Sequence, residues 1–359
     1  MGRRKNDHMA VETIRVGLVG AGFIGALHAA AWNQIPGVVV ACVCDAKKLR
    51  AKSGARKFKA EEARWHVSVE EMLNDPEANV DVVDVCVPTP FHADMVAKAA
   101  AAGKHCVIEK PLARTVEQCD EIIKAVRQAG VKAFPAHVVR YAKPWRLLRE
   151  AVKGGKVGDL KELRLFRVTN PPSWGRWFFD EEASGSIFLD LVIHDLDVAK
   201  WIVGEPVASV SAEGYRKGDS THQTWDAGTA RLKFASGVEA TCFGSWMAPK
   251  YVDGGVVVEV ARTNEVGECV SAEAVGTSGS VEFDGVDELA LRPAGGEPVK
   301  LATGLKDYAM DVYRLELENF VEHVVHDEPL EVTLEDGREA VDLALRALAS
   351  SKANEKAGG

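Results

Sequence analysis

Ile14-Arg15-Val16-Gly17-Leu18-Val19-Gly20-Ala21-Gly22-Phe23-Ile24-Gly25 sets the fold of this chain. The first six residues form a mainly apolar run of strand length, interrupted by Arg15, and the six that follow are G-x-G-x-x-G opening an Ala-rich helix over Phe23 to Trp32. Strand, glycine loop and helix in that order form the context in which this motif holds a dinucleotide. Gly20 permits the tight turn, Gly22 lets the backbone approach a pyrophosphate, and Gly25 lets helix and strand pack closely. Phe23 and Ile24 start the helix, whose N-terminal N–H groups and partial positive charge suit the phosphates.

Outward from the loop, a second apolar run from Val38 to Cys44 ends in Asp45, where an acid accepts hydrogen bonds from an adenosine ribose. A carboxylate there repels a 2′-phosphate, which favours NAD over NADP, although Lys47, Lys48 and Arg50 follow closely enough to soften the repulsion. Strand and helix signals then alternate: Val80 to Val87, a helix over Ala93 to Ala102, His105 to Glu109, a helix over Thr115 to Ala129, and Val131 to Ala136. Such alternation predicts a doubly wound parallel sheet, a Rossmann domain over 13–136.

From Leu160 the pattern changes to β-branched and apolar runs without intervening helices, at 160–169, 207–215, 229–234, 238–246, 256–261, 268–275, 281–283 and 289–291. These predict a second α/β domain over 137–352 with a large open, mostly antiparallel sheet. One helix interrupts it at Ile187 to Val203, and two more close the chain at Asp307 to His326 and Leu334 to Ser351, the last expected to pack back on the first domain. Residues 1–12 read as a disordered arm or an expression remnant, and 353–359 as a frayed tail.

The chain has 359 residues, is 47% hydrophobic and carries a net charge of −9, so it has ample core for two domains and little affinity for nucleic acid or an anionic membrane surface. Neither a signal peptide nor a run of membrane-spanning length is visible, and the seven cysteines, Cys42 and Cys44 among them, read as packed, reduced thiols rather than metal ligands. A cytoplasmic enzyme without a metal is the expectation.

Chemistry concentrates at two further places. Glu109-Lys110-Pro111 follows a strand, and the proline biases Lys110 toward extended backbone, so that it projects from the strand end. In the interrupting helix, apolar nearly all round, Asp190, His194 and Asp197 share one stripe at i, i+4 and i+7. Carboxylates on a buried helix are costly unless something polar faces them. Acid, imidazole and ammonium are the groups that oxidation of an alcohol requires.

From Ile14 to Ser351 the chain resembles the Gfo/Idh/MocA family of oxidoreductases. The match rests on Gly20-x-Gly22-x-x-Gly25, Pro88-Thr89-Pro90-x-His92, Gly103-Lys104-His105 leading to Glu109-Lys110-Pro111, and Asp190-x-x-x-His194-Asp195-x-Asp197. The resemblance implies hydride exchange with a bound nicotinamide and often a homodimer or homotetramer packed through the sheet faces. It implies a catalytic Lys110, a substrate-binding Asp190 and a proton-transferring His194. The chemistry agrees: neutral imidazole takes the hydroxyl proton, Lys110 stabilises alkoxide character, and Asp190 orients the adjacent hydroxyl and holds the ammonium by Coulomb attraction. Asp197 is expected to orient His194 or to cap structure.

Thr89, Pro90, His92 and Glu109 are expected beside the cofactor. His137 and Arg140 follow a strand end and are substrate candidates, as are Trp174, Arg176 and Trp177 in an aromatic loop able to line a sugar site or an oligomer interface. Ser186, where many relatives carry glycine, is expected to fill space or bond a substrate hydroxyl. The expected activity is NAD-dependent oxidation of a secondary hydroxyl of a cyclic polyol, sugar or glycoside; the alternatives are an NADPH-dependent keto-sugar reductase and a non-catalytic dinucleotide sensor.

Overall fold

The computed structural model describes residues 13–173, 175–216, 224–247, 250–253, 256–259, 269–283, 288–303 and 311–358. The arm at 1–12 and Trp174 lie outside them. Strand β1 (Ile14–Val19) and helix α1 (Phe23–Trp32) have the bounds expected from the motif. They are followed by β2 (Val38–Cys44), α2 (Lys48–Lys57), β3 (Trp65–His66), α3 (Val69–Leu73), β4 (Val82–Val85), α4 (His92–Ala101), β5 (His105–Glu109), α5 (Val116–Ala129) and β6 (Ala133–Ala136). The six strands form a parallel sheet in the order β3-β2-β1-β4-β5-β6. Strand order reverses between β1 and β4, the switch point where a doubly wound sheet opens a crevice for a ligand. The run expected as the third strand is the fourth, because Trp65–His66 pairs with Val43–Cys44 at the edge.

Gly20 adopts φ +109°, and a Cβ there would lie 2.3 Å from the Cys86 carbonyl oxygen, so only a bare backbone fits between β1 and β4. At Gly25 a Cβ would lie 2.0 Å from the Gly20 oxygen. Gly25→Ala is therefore expected to push α1 off the loop, costing about 1–3 kcal/mol as overpacking does and abolishing dinucleotide binding; unchanged thermal unfolding and unchanged binding would refute the close-packing role. Cys42 and Cys44 lie on one face of β2 in the core, where burial pushes both thiols up to about 12.

The second half begins with α6 (Lys143–Lys153) and β7 (Leu160–Val168), then α7 (Glu181–Ser184), a π-helical turn over Phe188–Val192, and α8 (Ile193–Val203), which continues from that turn. Next come β8 (Val207–Tyr215), β9 (Ala227–Phe234), β10 (Glu239–Ser245), the pair β11 (Lys250–Asp253) and β12 (Val256–Glu259), then β13 (Cys269–Gly276), β14 (Gly279–Phe283), β15 (Glu288–Pro293) and β16 (Val299–Thr303). Eight of these strands form one open sheet, β16-β15-β14-β13-β7-β10-β9-β8, antiparallel at every neighbour except β7 with β10. Along β9 buried and open positions alternate, which is the pattern of a sheet covered on one face.

Two helices end the described chain, α9 (Asp311–His326) and α10 (Leu334–Gly358). Phe320 of α9 meets Phe134 of β6 at 6.0 Å between ring centroids, in the core beside α1. Helix α10 lies against β8 and α8 and also against α5, where Arg338 and Asp120 pair at 2.6 Å. The tail expected to fray from residue 353 instead continues as helix through Gly358. It is anchored on the sheet: Asn354 donates to the Ala212 oxygen at 2.9 Å, and Arg216 pairs with Glu355 at 2.5 Å. Among the described residues no helix is long and apolar enough to cross a membrane.

Candidate active site

Lys110 leaves the end of β5 and crosses to the π-helical turn. Its ammonium donates to the Asp190 backbone oxygen at 2.6 Å and to Asp190 Oδ1 at 3.0 Å, with both side chains about 15% exposed. The wide turn is what brings backbone and carboxylate oxygens to one cation, since a π turn disturbs the regular helical hydrogen-bond ladder. The Lys110-Pro111 peptide is cis.

His194 lies one turn beyond Asp190, half-buried, and its Nδ1 is buried with no hydrogen-bond partner among the described residues. Burial, then the positive charges of Lys110 and Arg167, hold the imidazolium form well below the ordinary histidine range. At neutral pH this ring is a proton acceptor. Behind it Asp195 takes a two-pronged bond from Arg167, at 2.8 and 3.1 Å, which fixes the helix face to β7. Burial raises the Asp195 carboxyl above its usual value, against the pull of Arg167.

Asp197 does not orient His194. Its two oxygens accept Arg140 Nε at 2.8 Å and Nη2 at 2.6 Å, deep in the interior. Burial opposes the guanidinium charge, but Asp197 more than offsets it and holds Arg140 above its ordinary value. Arg140 also donates to the Glu331 oxygen at 3.0 Å, so this substrate candidate is spent on tying α8 to the segment before α10. His137 is 1% exposed with both ring nitrogens unpartnered among the described residues, 3.6 Å from Asp197, and burial keeps it neutral.

Two residues expected beside the cofactor turn inward. The His92 ring sits between the Pro111 oxygen at 3.0 Å and the Val87 oxygen at 2.9 Å, holding the lysine turn to the end of β4. Glu109, at the end of β5, is 7% exposed and bonds His28 and the Lys110 N–H. Thr89 stays a candidate for polar contact, its hydroxyl buried without a partner among the described residues, with Pro90 in the same short helical turn. Ser186 is not aimed at a ligand: at φ +69° it is fully buried, and its hydroxyl accepts the Phe188 N–H at 3.4 Å. Arg176 is exposed, and Trp177 stacks on Phe178 at 4.1 Å.

At the other end of the crevice the glycine loop fits a dinucleotide. No side chain caps the N-terminus of α1, and Asp45 stands at the end of β2 with Oδ2 accepting Ala21 N–H at 3.1 Å and Oδ1 accepting Lys47 N–H at 2.8 Å. These bonds fix the carboxylate beside the loop, with Arg50 3.5 Å away.

A Rossmann sheet whose switch-point crevice joins a bare glycine loop to a lysine, acid and histidine is the architecture of a nicotinamide-dependent oxidoreductase. Residues 14–137 match the family model of oxidoreductases with an NAD-binding Rossmann fold, and residues 145–282 match the GFO/IDH/MocA C-terminal domain. The chain belongs to the Gfo/Idh/MocA family. The myo-inositol 2-dehydrogenase of Thermotoga maritima is 30% identical over 341 residues, 93% of this chain and 95% of that protein. The scyllo-inositol 2-dehydrogenase (NAD(+)) of Bacillus subtilis is 27% identical over 318 residues, 87% of this chain and 86% of that one. A levoglucosan dehydrogenase solved with NADH and levoglucosan superposes with TM-score 0.79, covering 95% of this chain and 97% of its own; at 21% identity that likeness speaks to the fold alone.

Sequence reasoning missed one site feature, a buried cluster around His28. Its signal was Asp84, a carboxylate inside the Val82-Val83-Asp84-Val85 strand of a parallel sheet, which has to find a partner indoors.

Proposed function

We propose that this chain catalyses NAD-dependent oxidation of a secondary hydroxyl on a cyclic polyol, sugar or glycoside, in a cytoplasmic setting. The observation that carries the reading is the Lys110 ammonium held on Asp190 at 3.0 Å, one helical turn from a histidine kept neutral. Residues 13–136 hold the cofactor, and 137–352 supply the substrate site and the faces of a homodimer or homotetramer. Bound nicotinamide supplies a hydride acceptor. The chain's own residues do the rest. His194 takes the hydroxyl proton, because a neutral imidazole is the base available at neutral pH. Lys110 donates toward the same oxygen and stabilises its growing negative charge in a site shielded from water. Asp190 shares the ammonium and accepts from the neighbouring hydroxyl, which fixes the carbon presented. His137, Arg176 and Trp177 are the candidates for the remaining contacts around the ring, and Thr89 for a contact to the cofactor.

Asp45 sets the preference for NAD. Loss of a hydrogen-bonded charged partner costs about 1.5–3 kcal/mol, so Asp45→Ala is expected to weaken NAD roughly 10- to 100-fold and to move the NAD to NADP ratio toward NADP, since Arg50 and Lys47 remain. An unchanged ratio would refute this role of the acid.

The reading is tested by following reduced-nicotinamide absorbance with NAD and NADP in parallel, across inositols, hexoses, pentoses and simple glycosides. Turnover with NAD on one ring class is the expected result. With NADPH and keto-sugars run alongside, turnover confined to that pair would overturn it in favour of the reductase, and NAD binding with no turnover in either direction in favour of the sensor.

A further inference from the structure

His28, on α1, is completely buried, and the proposed reaction gives it no role. Its Nδ1 lies 3.0 and 3.1 Å from the two oxygens of Asp84 on β4, and its Nε2 lies 3.0 Å from Glu109 Oε1 on β5. A neutral ring has one N–H and one lone pair. With a carboxylate on each side, only the doubly protonated ring donates both ways. Asp84 also accepts Trp32 Nε1 at 2.7 Å and the Cys86 thiol at 3.4 Å, so its two oxygens face donors on every side that is bonded.

Glu109 carries the bridge onward. Its second oxygen accepts the main-chain N–H of Lys110 at 2.9 Å. An unbroken series of bonds thus runs from the helix whose N-terminus faces the dinucleotide loop, through His28 and Glu109, to the backbone of the lysine that holds Asp190. Helix α9 adds Glu316, fully buried 3.9 Å from Nε2, and the Tyr313 ring at 5.8 Å. Burial drives the Glu316 carboxyl well above its usual value, which favours its uncharged form beside the ring.

Packing does not require this set. Apolar residues of similar volume would fill the space between α1, β4 and β5 at equal or better stability. Nor is it a metal centre: His28, Asp84 and Cys86 have ligand types within reach of one another, but the ring nitrogens point at carboxylates, the indole N–H occupies Asp84, and burial keeps the Cys86 thiol protonated.

We infer that His28 is a positioning residue of the reaction: as an imidazolium clamped between Asp84 and Glu109, it fixes the backbone of Lys110 relative to the helix that holds the cofactor. It touches no reacting atom and acts only through Glu109. The inference rests on Lys110 serving the reaction as proposed above, so one arm of its test reads the bridge without turnover.

That arm is nitrogen NMR of the full chain labelled with ¹⁵N-histidine at about pH 8.5, two units above the ordinary histidine value. The ring whose signals vanish in His28→Gln is expected to have both nitrogens protonated; a neutral ring at that position would overturn the bridge whatever the enzyme does. The second arm is kinetic. A displacement of about 1 Å costs on the order of 100-fold in rate, so His28→Gln and the milder Glu109→Gln are expected to lower kcat about 10- to 100-fold with KM for NAD within about threefold. Unchanged kcat, or kcat and NAD affinity falling together with thermal stability, would overturn the positioning role. Should His28→Gln fail to fold, Glu109→Gln decides by the same split, and the NMR signal is assigned by its shift in that variant.

Discussion

Lys110→Met is expected to lower kcat about 100- to 1000-fold, the loss seen when one donor aimed at developing oxyanion charge is removed, while NAD still binds. Methionine keeps the length and flexibility of the lysine stem but not its charge. What disappears is the cation that meets the Asp190 backbone oxygen at 2.6 Å and its carboxylate at 3.0 Å. The glycine loop and Asp45 lie at the other end of the crevice and keep their own bonds, so cofactor affinity measured by fluorescence titration should change little. Binding of the dinucleotide alone asks nothing of Lys110. A loss residing wholly in NAD binding, or a fall in kcat below about tenfold, would place this lysine outside the chemistry.

The second large effect is expected from His194→Asn, about 100- to 10,000-fold in kcat/KM, the range that a positioned general base contributes. The amide fills part of the space but takes no proton. The pH profile separates this from a packing defect. Because burial, Lys110 and Arg167 depress the imidazolium form, His194 stays neutral as pH falls past the ordinary histidine value of 6.5 and protonates only well below it. In the wild-type enzyme the acid limb of kcat/KM should therefore lie below 6.5, with activity present above that limb and lost beneath it. Residual activity of Lys110→Met should show the limb shifted upward, since one of the nearby positive charges is gone. An acid limb at or above 6.5 in the wild type would contradict the role given to His194.

Long motifs with a strict local grammar were legible in the sequence. β1, α1, β2, β5 and β8 have the bounds read from their apolar runs, and the pairing of Lys110 with Asp190 follows from two motifs some eighty residues apart. Features created by partners were not. Trp65–His66 is a strand only because Val43–Cys44 lies beside it, and two residues carry no period of their own. The regular stripe of Asp190, His194 and Asp197 presumed an unbroken α-helix, whereas the chain makes a π turn at 188–192 and Asp197 bonds Arg140. Glu109 and His92 were read as facing the cofactor because they sit in motifs that do; which way each side chain points depends on the buried carbonyls and on His28, and nothing local announces those. His28 itself stands in an Ala-rich helix where a histidine reads as filler until Asp84 and Glu109 are seen on either side.

The most direct test of the account is transfer of deuterium from carbon to cofactor. The protein is incubated with NAD and a pool of inositols and pyranoses deuterated at their ring carbinol carbons, and the nicotinamide is read by mass spectrometry. The account predicts reduced cofactor carrying one deuterium with the wild-type chain, and almost none with Lys110→Met or His194→Asn. Saturating NAD binding with no deuterium transferred from any member of the pool would contradict it.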